Sequence, residues 1–343
     1  MTVVGATPAN RPVTSRVDDN STRIVVSESS GLSPSVIDRL RQLGDVKLED
    51  LDRGELLDAV EDVEILWVRL RHRIDEEVFN AAPHLKFLVT ATTGLNHIDL
   101  EMAEQRGVRV LSLRGEADFL KQIRATAELT IGLMLALLRH IPAATNHVRP
   151  GGWNRDLFQG RELFGKTVGI VGYGRLGKIV ARYLSAFDAR VLVADPEINK
   201  TEMAEGVQLV PLERLLQESD LVTLHVNLSA QTQTFFGRQQ FARMRLGSWL
   251  INTSRGELLD EDALAEALRS GHLAGAALDV LCNETATGMG THPLVALSRE
   301  HPHLIITPHI GGCTSESMTK TEEFMVERLW EVCHLGDLDE ARS

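Results

Sequence analysis

The sequence predicts an α/β protein of two parallel-sheet domains, and three observations carry that expectation. From Thr22 onward, short apolar runs alternate with helical stretches, the pattern of strands covered by connecting helices. The rhythm breaks once, over residues 116–122, ahead of a long apolar helical stretch at 126–140. A second and longer series then opens on a glycine-rich turn that directly follows an apolar strand.

In the first series, STRIVVSES, EILWVRL, LKFLVTA and VRVLSL read as strands, and SPSVIDRLRQLG, DEEVFNAAP and LEMAEQRG as the helices between them. In the second, the strands are TVGIVGY, RVLVADP, GVQLVP, LVTLHV, SWLINTS, GAALDV and LIITPH, separated by helices such as RLGKIVARYLSAF and DEDALAEALRSG. The last periodic stretch, 315–333, is apolar at Met318, Phe324, Met325 and Leu329 and follows the last strand of the second series. Its return onto the first domain would make that domain discontinuous. The expected organisation is an unstructured leader at 1–20, a first domain formed by 21–118 and 313–343, and a second domain at 119–312. A cleft is expected between the domains.

The chain has 343 residues, 43% of them hydrophobic, and a net charge of −12. That charge argues against nucleic acid or an anionic membrane as the main partner, because both demand a basic surface. Three cysteines, Cys282, Cys313 and Cys333, form no C-x-x-C pair, so neither a disulfide framework nor a thiolate zinc site is expected. The first twenty residues lack the apolar core of a signal peptide, and a cytoplasmic location follows as an expectation. The most apolar window, AELTIGLMLALL, is shorter than the ~20 residues that span a bilayer and reads as a buried helix.

The strongest local signal is TVGIVGYGRLGKIVARYL, where Gly172, Gly174 and Gly177 fill a G-x-G-x-x-G between strand and helix. The first glycine permits the tight turn, the second lets a pyrophosphate approach the backbone, and the third lets helix and strand pack closely. Asp195 ends the next strand, eighteen residues beyond Gly177, where a carboxylate accepts hydrogen bonds from an adenosine ribose. An aspartate there repels a 2′-phosphate and no arginine follows it directly, Lys200 being the nearby cation. NAD is therefore the expected cofactor, in preference to NADP.

Three further segments end predicted strands of the second domain, where open α/β sheets bind ligands. INTSRG carries Arg255, ALDVLCNE carries Glu284 five residues beyond Asp279, and ITPHIGG carries His309 before two glycines. A histidine titrating near neutrality suits the proton exchange that accompanies hydride transfer at a secondary alcohol. An adjacent carboxylate, Glu284, would orient it. An arginine, Arg255, would clamp the substrate acid and polarise its carbonyl.

In the order GYGRLG, Asp195, NTSRG, LDV-x-x-x-E and PHIGG, these elements resemble the D-isomer-specific 2-hydroxy acid dehydrogenase family over about residues 67–321. The resemblance implies two domains of Rossmann-like or flavodoxin-like form, the first substrate-binding and the second NAD-binding. It implies hydride transfer between NAD and C2 of a D-2-hydroxy acid or 2-keto acid. It matches Arg255, Glu284 and His309 to the family's arginine, glutamate and histidine. Arg175, Leu176, Asp195, Thr253 and Asp279 match its cofactor contacts, with His225, Val226 and Gly312 on the nicotinamide side. TTGLNHID resembles the loop that holds the substrate carboxylate, making Thr93, Gly94 and Leu95 candidates. The start of the 126–140 helix, with Glu128, resembles the family's dimer interface, so a homodimer is implied. Asn227 follows His225-Val226, and Thr285 follows Glu284, where the family usually has proline.

VRLRHRID places Arg69 and Arg71 on one face of an extended segment. They resemble the arginines that bind the substrate phosphate in 3-phosphoglycerate dehydrogenases, whereas a basic segment paired with nearby acidic residues is the plainer reading. A short form without the C-terminal regulatory domain of many such enzymes is expected. Glyoxylate or hydroxypyruvate reduction is the alternative chemistry, and a NAD-sensing corepressor-like binding protein the alternative class. No metal is expected. The H-x-H of His301 and His303, even with His97, His140 and His147, lacks further ligands at recognisable spacing.

Overall fold

The computed structural model describes residues 22–199, 201, 203–284 and 289–340. The expected leader and Lys200 lie outside them, as does Thr285. The chain forms two compact units, one from residues up to 120 together with those from 318 onward, the other from 121–317.

The first unit carries β1 (Arg23–Val26), α1 (Pro34–Leu43), β2 (Asp45–Leu48), α2 (Arg53–Ala59), β3 (Ile65–Val68), α3 (Glu76–Ala81), β4 (Phe87–Thr90), α4 (Leu100–Gln105), β5 (Arg109–Leu111) and α5 (Ala117–Leu120). The sheet is parallel throughout in the order β2-β1-β3-β4-β5, the flavodoxin-like arrangement. β3 and β4 are buried at every position, which explains their continuous apolar runs. Ser33, Asp52, Asp75 and Asp99 cap four of the helices through side-chain oxygens, satisfying backbone donors at each start.

Two elements of this unit differ from the sequence expectation. β2 is an edge strand whose residues alternate between exposed and half-buried, so DVKL has no apolar run to betray it. α2 is short and begins with a capping box between Asp52 and Glu55.

The second unit carries α6 (Ala125–Leu138), α7 (Ile141–Val148), β6 (Thr167–Val171), α8 (Arg175–Ser185), β7 (Arg190–Ala194), β8 (Val207–Leu209), α9 (Leu212–Glu218), β9 (Leu221–Leu224), α10 (Arg238–Arg243), β10 (Ser248–Asn252), α11 (Glu261–Arg269), β11 (Leu273–Leu278), α12 (Pro293–Glu300) and β12 (Leu304–Ile306). Seven parallel strands run in the order β12-β11-β10-β9-β6-β7-β8. The order reverses between β6 and β9, the point at which such sheets hold ligands beyond their strand ends. One apolar layer, with Leu215, Leu250 and Leu264, covers one face, and α6 with α8 covers the other. α6 is buried on most of its circumference, so its apolar window is a core helix. Among the described residues no single helix is long and apolar enough to cross a membrane.

The final helix, α13 (Ser315–Glu340), exceeds the expected 315–333. From Met318 onward it belongs to the first unit, where Met325 and Leu329 are buried and Phe324 stacks on Phe119 at 4.0 Å.

Candidate active site

The three glycines between β6 and α8 do different work. Gly172 has φ +93°, and a Cβ there would meet the His225 carbonyl oxygen at 2.5 Å. Gly177 presses on the Gly172 carbonyl, so α8 sits flush against the turn. Gly174, the N-cap of α8, makes no side-chain cap, and a Cβ on it would meet nothing within 4 Å. The backbone donors of a helix start thus lie beside an open glycine, a surface that fits an anionic pyrophosphate. Asp195 ties the next strand to this turn: Oδ2 accepts the Tyr173 N–H at 2.7 Å and Oδ1 the Glu197 N–H at 2.9 Å. A carboxylate has about four acceptor positions, so capacity for ribose hydroxyls remains.

Neighbouring residues assigned to the cofactor from sequence are engaged within the protein. Arg175 donates from Nη1 to the Ile123 carbonyl at 2.7 Å, and burial lowers its pKa. Leu176 and Val226 pack on the two apolar layers. Thr253 shares a buried 2.9 Å hydrogen bond with Thr130. His225 contacts Thr223 Oγ1 through Nε2 at 3.0 Å, and burial pushes its pKa down to about 4. It is neutral near pH 7, which makes it unsuited to proton exchange there.

Beyond β10, β11 and β12, which are neighbours in the sheet, lie the loops of Arg255, Glu284 and His309. Asn252 shapes the first loop: its Nδ2 donates to the Arg255 carbonyl at 2.8 Å and its Oδ1 accepts the Ser254 N–H at 3.0 Å. Arg255 Nη1 donates to the Ser254 carbonyl at 2.6 Å. Gly256 lies so close to the Leu281–Cys282 peptide that a Cβ would collide with it, which sets the Arg255 loop against the Glu284 loop.

Glu284 and His309 meet directly, with His309 Nδ1 to Glu284 Oε1 at 2.5 Å. The Leu281 N–H donates to Glu284 Oε2 at 3.3 Å. His309 has φ +52°, an uncommon conformation for a residue with a Cβ. Asp279 stabilises that loop. It is 1% exposed, and its carboxylate accepts Thr307 Oγ1–H at 2.6 Å, the Ile310 N–H at 2.9 Å and the Gly311 N–H at 2.8 Å. Its carbonyl accepts the His309 N–H at 2.9 Å. Burial raises the Asp279 pKa while these donors oppose the rise. The position assigned to the cofactor from sequence therefore clamps the histidine loop. Gly312 is exposed beside it. Asn252, Thr130 and Thr307 were not singled out from sequence; only Asn252 carried a signal, as an Asx-turn residue in NTSRG.

In the first unit, Thr93 is exposed and Leu95 buried, and Thr92 Oγ1 donates to the Gly94 carbonyl at 2.9 Å. Arg69 donates from Nε and Nη2 to Glu322 Oε1 at 3.0 and 2.5 Å, and from Nη1 to the Ser30 carbonyl at 2.7 Å. Glu322 is 2% exposed. Arg71 instead reaches Asp50 at 3.4 Å. Each guanidinium is held by its own carboxylate, an arrangement also present in the plainer reading of VRLRHRID.

A dinucleotide-fitting turn, and a histidine–carboxylate pair whose glutamate loop packs against the Arg255 loop, define the class: a nucleotide-binding α/β protein. The family model for the D-isomer specific 2-hydroxyacid dehydrogenase, NAD binding domain, matches residues 131–311. D-3-phosphoglycerate dehydrogenase of Mycobacterium bovis is 36% identical over 298 residues, 86% of this chain and 54% of that protein. The chain thus spans about half the length of that relative. Hydroxypyruvate reductase of Thermotoga maritima is 34% identical over 286 residues, 83% of this chain and 90% of that protein. The solved D-lactate dehydrogenase of Aquifex aeolicus, complexed with NAD and lactic acid, is 27% identical with a TM-score of 0.79, covering 94% of this chain and 98% of that one. The chain belongs to the D-isomer specific 2-hydroxyacid dehydrogenase family and carries its NAD binding domain, so NAD is its cofactor.

Proposed function

We propose that the chain interconverts a D-2-hydroxy acid and its 2-keto acid, with His309, Glu284 and Arg255 as the reacting set. The 2.5 Å contact between His309 Nδ1 and Glu284 Oε1 carries this reading. Glu284 accepts the Nδ1–H, which leaves Nε2 to take the hydroxyl proton in oxidation and to return it in reduction. Arg255 offers paired donors to the substrate carboxylate and carbonyl. NAD, when bound, supplies the carbon that accepts or donates the hydride. Gly172, Gly174, Gly177 and Asp195 would hold its pyrophosphate and ribose, and Thr253, His225, Val226, Asp279 and Gly312 would lie toward its nicotinamide end. Thr93, Gly94 and Leu95 contribute to holding the substrate acid.

The favoured substrate is an unphosphorylated acid of the hydroxypyruvate or glyoxylate class, because Arg69 is already bound to Glu322 and Ser30. A phosphorylated acid is the second reading, supported by the half-exposed guanidinium of Arg71 and by the phosphoglycerate dehydrogenase relatives. Steady-state rates with NADH and hydroxypyruvate, glyoxylate, pyruvate and phosphohydroxypyruvate test both. No turnover of any of them overturns the enzyme reading, and loss of only the phosphohydroxypyruvate rate in Arg71→Ala establishes the second.

We further infer a homodimer. Support comes from the large apolar side chains that the second unit exposes, Trp153 at 90% together with Leu157 and Phe164, groups that an interface would cover. Sedimentation velocity of Trp153→Ser against the parent chain tests it. A cytoplasmic location accords with the free thiols of Cys282, Cys313 and Cys333.

A further inference from the structure

We propose that Glu261 is a positioning residue for the Glu284–His309 pair, an inference that rests on the reaction proposed above. Glu261 is the first residue of α11, after the Asp260 cap. Its Oε1 accepts the backbone N–H of Cys282 at 2.8 Å, two residues before Glu284. Its Oε2 faces His292 Nε2 at 3.2 Å. The Leu294 N–H donates to His292 Nδ1 at 3.3 Å, so Nδ1 is the accepting nitrogen and the ring proton lies on Nε2, toward Glu261. One carboxylate therefore fastens the chain on both sides of the stretch that carries Glu284: at Cys282 before it, and at the cap of α12 after it.

The turn it holds includes a left-handed residue, Asn283 at φ +55°, a conformation that asparagine adopts more readily than most residues. Successive N–H groups of this turn are taken by two carboxylates, Leu281 by Glu284 itself and Cys282 by Glu261. Only a carboxylate offers an acceptor to each side; a glutamine presents one oxygen and one N–H₂ group, and the latter would face the His292 Nε2–H. Burial raises the Glu261 pKa against the Cys282 N–H and His292, with Glu257 adding to the rise, as expected of an acid kept inside for its two acceptors. The Cys282 thiol, pushed up to about 12 by burial and the nearby carboxylates, is an inert wall of the same cluster.

The competing account is an ordinary first-turn acid that favours its helix through the macrodipole. Hydrogen–deuterium exchange of amides 280–284 in the full chain separates the two, read with kcat, KM and NADH Kd for Glu261→Ala, Glu261→Gln and His292→Ala. Positioning predicts faster exchange in 280–284 and a kcat about tenfold lower in Glu261→Ala, with NADH Kd within about twofold. Glu261→Gln falls between parent and alanine variant, and His292→Ala added to Glu261→Ala costs nothing further. Unchanged exchange at 280–284 in Glu261→Ala overturns the inference, as does unchanged kcat in a parent chain that turns over. A parent that reduces no 2-keto acid sinks the proposed reaction instead, while exchange still decides whether Glu261 holds the turn.

Discussion

Gly256 and Leu281 meet backbone to backbone: no side chain fits between the Arg255 loop and the peptide that leads to Glu284. The loops of the arginine and the glutamate therefore share a contact between main chains. Gly256→Ala is expected to cost about 1–3 kcal/mol of stability and to lower kcat/KM by more than tenfold. Urea denaturation and steady-state kinetics measure both, and an unaffected alanine variant would show that the two loops move independently.

The glycine turn yields a contrast. Gly174→Ala introduces a methyl group that meets no protein atom within 4 Å, so its stability should stay within about 0.5 kcal/mol while NADH affinity falls at least tenfold. Gly177→Ala meets the Gly172 carbonyl and should lose about 1–3 kcal/mol. Fluorescence titration with NADH and thermal melts distinguish them. Equal NADH affinity in Gly174→Ala and the parent would remove the turn as the pyrophosphate site.

His309→Asn keeps a residue that tolerates φ +52° and removes the acid/base group. A kcat lower by about 10²–10⁴ is expected, with the melting temperature held within a few degrees. Glu284→Gln should lose less, because its amide oxygen can still accept the Nδ1–H. A histidine variant that retains full turnover would move the proton exchange to another group.

His225 sets an acid limit to stability. Its folded pKa of about 4 lies below the ordinary value of about 6.5, so the unfolded chain takes up the proton first as pH falls. The stability it contributes is present above pH 6.5 and is lost as the pH drops toward 4, on the order of 3 kcal/mol in all. Asp279 and Glu322, raised by burial, act in the opposite sense. Denaturation of the parent and of His225→Gln across this window isolates the histidine, and parallel pH curves would show that it does not titrate with unfolding.

Legibility in the sequence followed how far each feature depends on its neighbours in space. The fully buried strands, such as Phe87–Thr90 and Leu221–Leu224, announce themselves as apolar runs, and the strand-end residues Arg255, Glu284 and His309 stand in short motifs. Asp45–Leu48 is hidden because an edge strand buries only half of each turn of its pleat. The carboxylate partner of Arg69 is hidden for another reason: Glu322 lies 253 residues away, and although the return of its helix to the first domain is legible, the residue that meets Arg69 is set only by tertiary packing. Glu261 and His292 stand in no motif of the sequence, and only the fold brings Glu261 to both the Cys282 N–H and the His292 ring.

His309, the proposed acid/base residue, follows a short edge strand of its sheet, β8 being the equally short strand at the opposite edge. β12 has three residues, pairs only with β11 and is half-buried over two of them, whereas β6, which leads into the glycine turn, lies between β9 and β7. Edge elements with few buried contacts open at lower free energy than central ones. On warming, β12 should fray before β6, so catalysis would fail while the nucleotide is still held, and the protein would pass through an inactive state that remains competent to bind NAD.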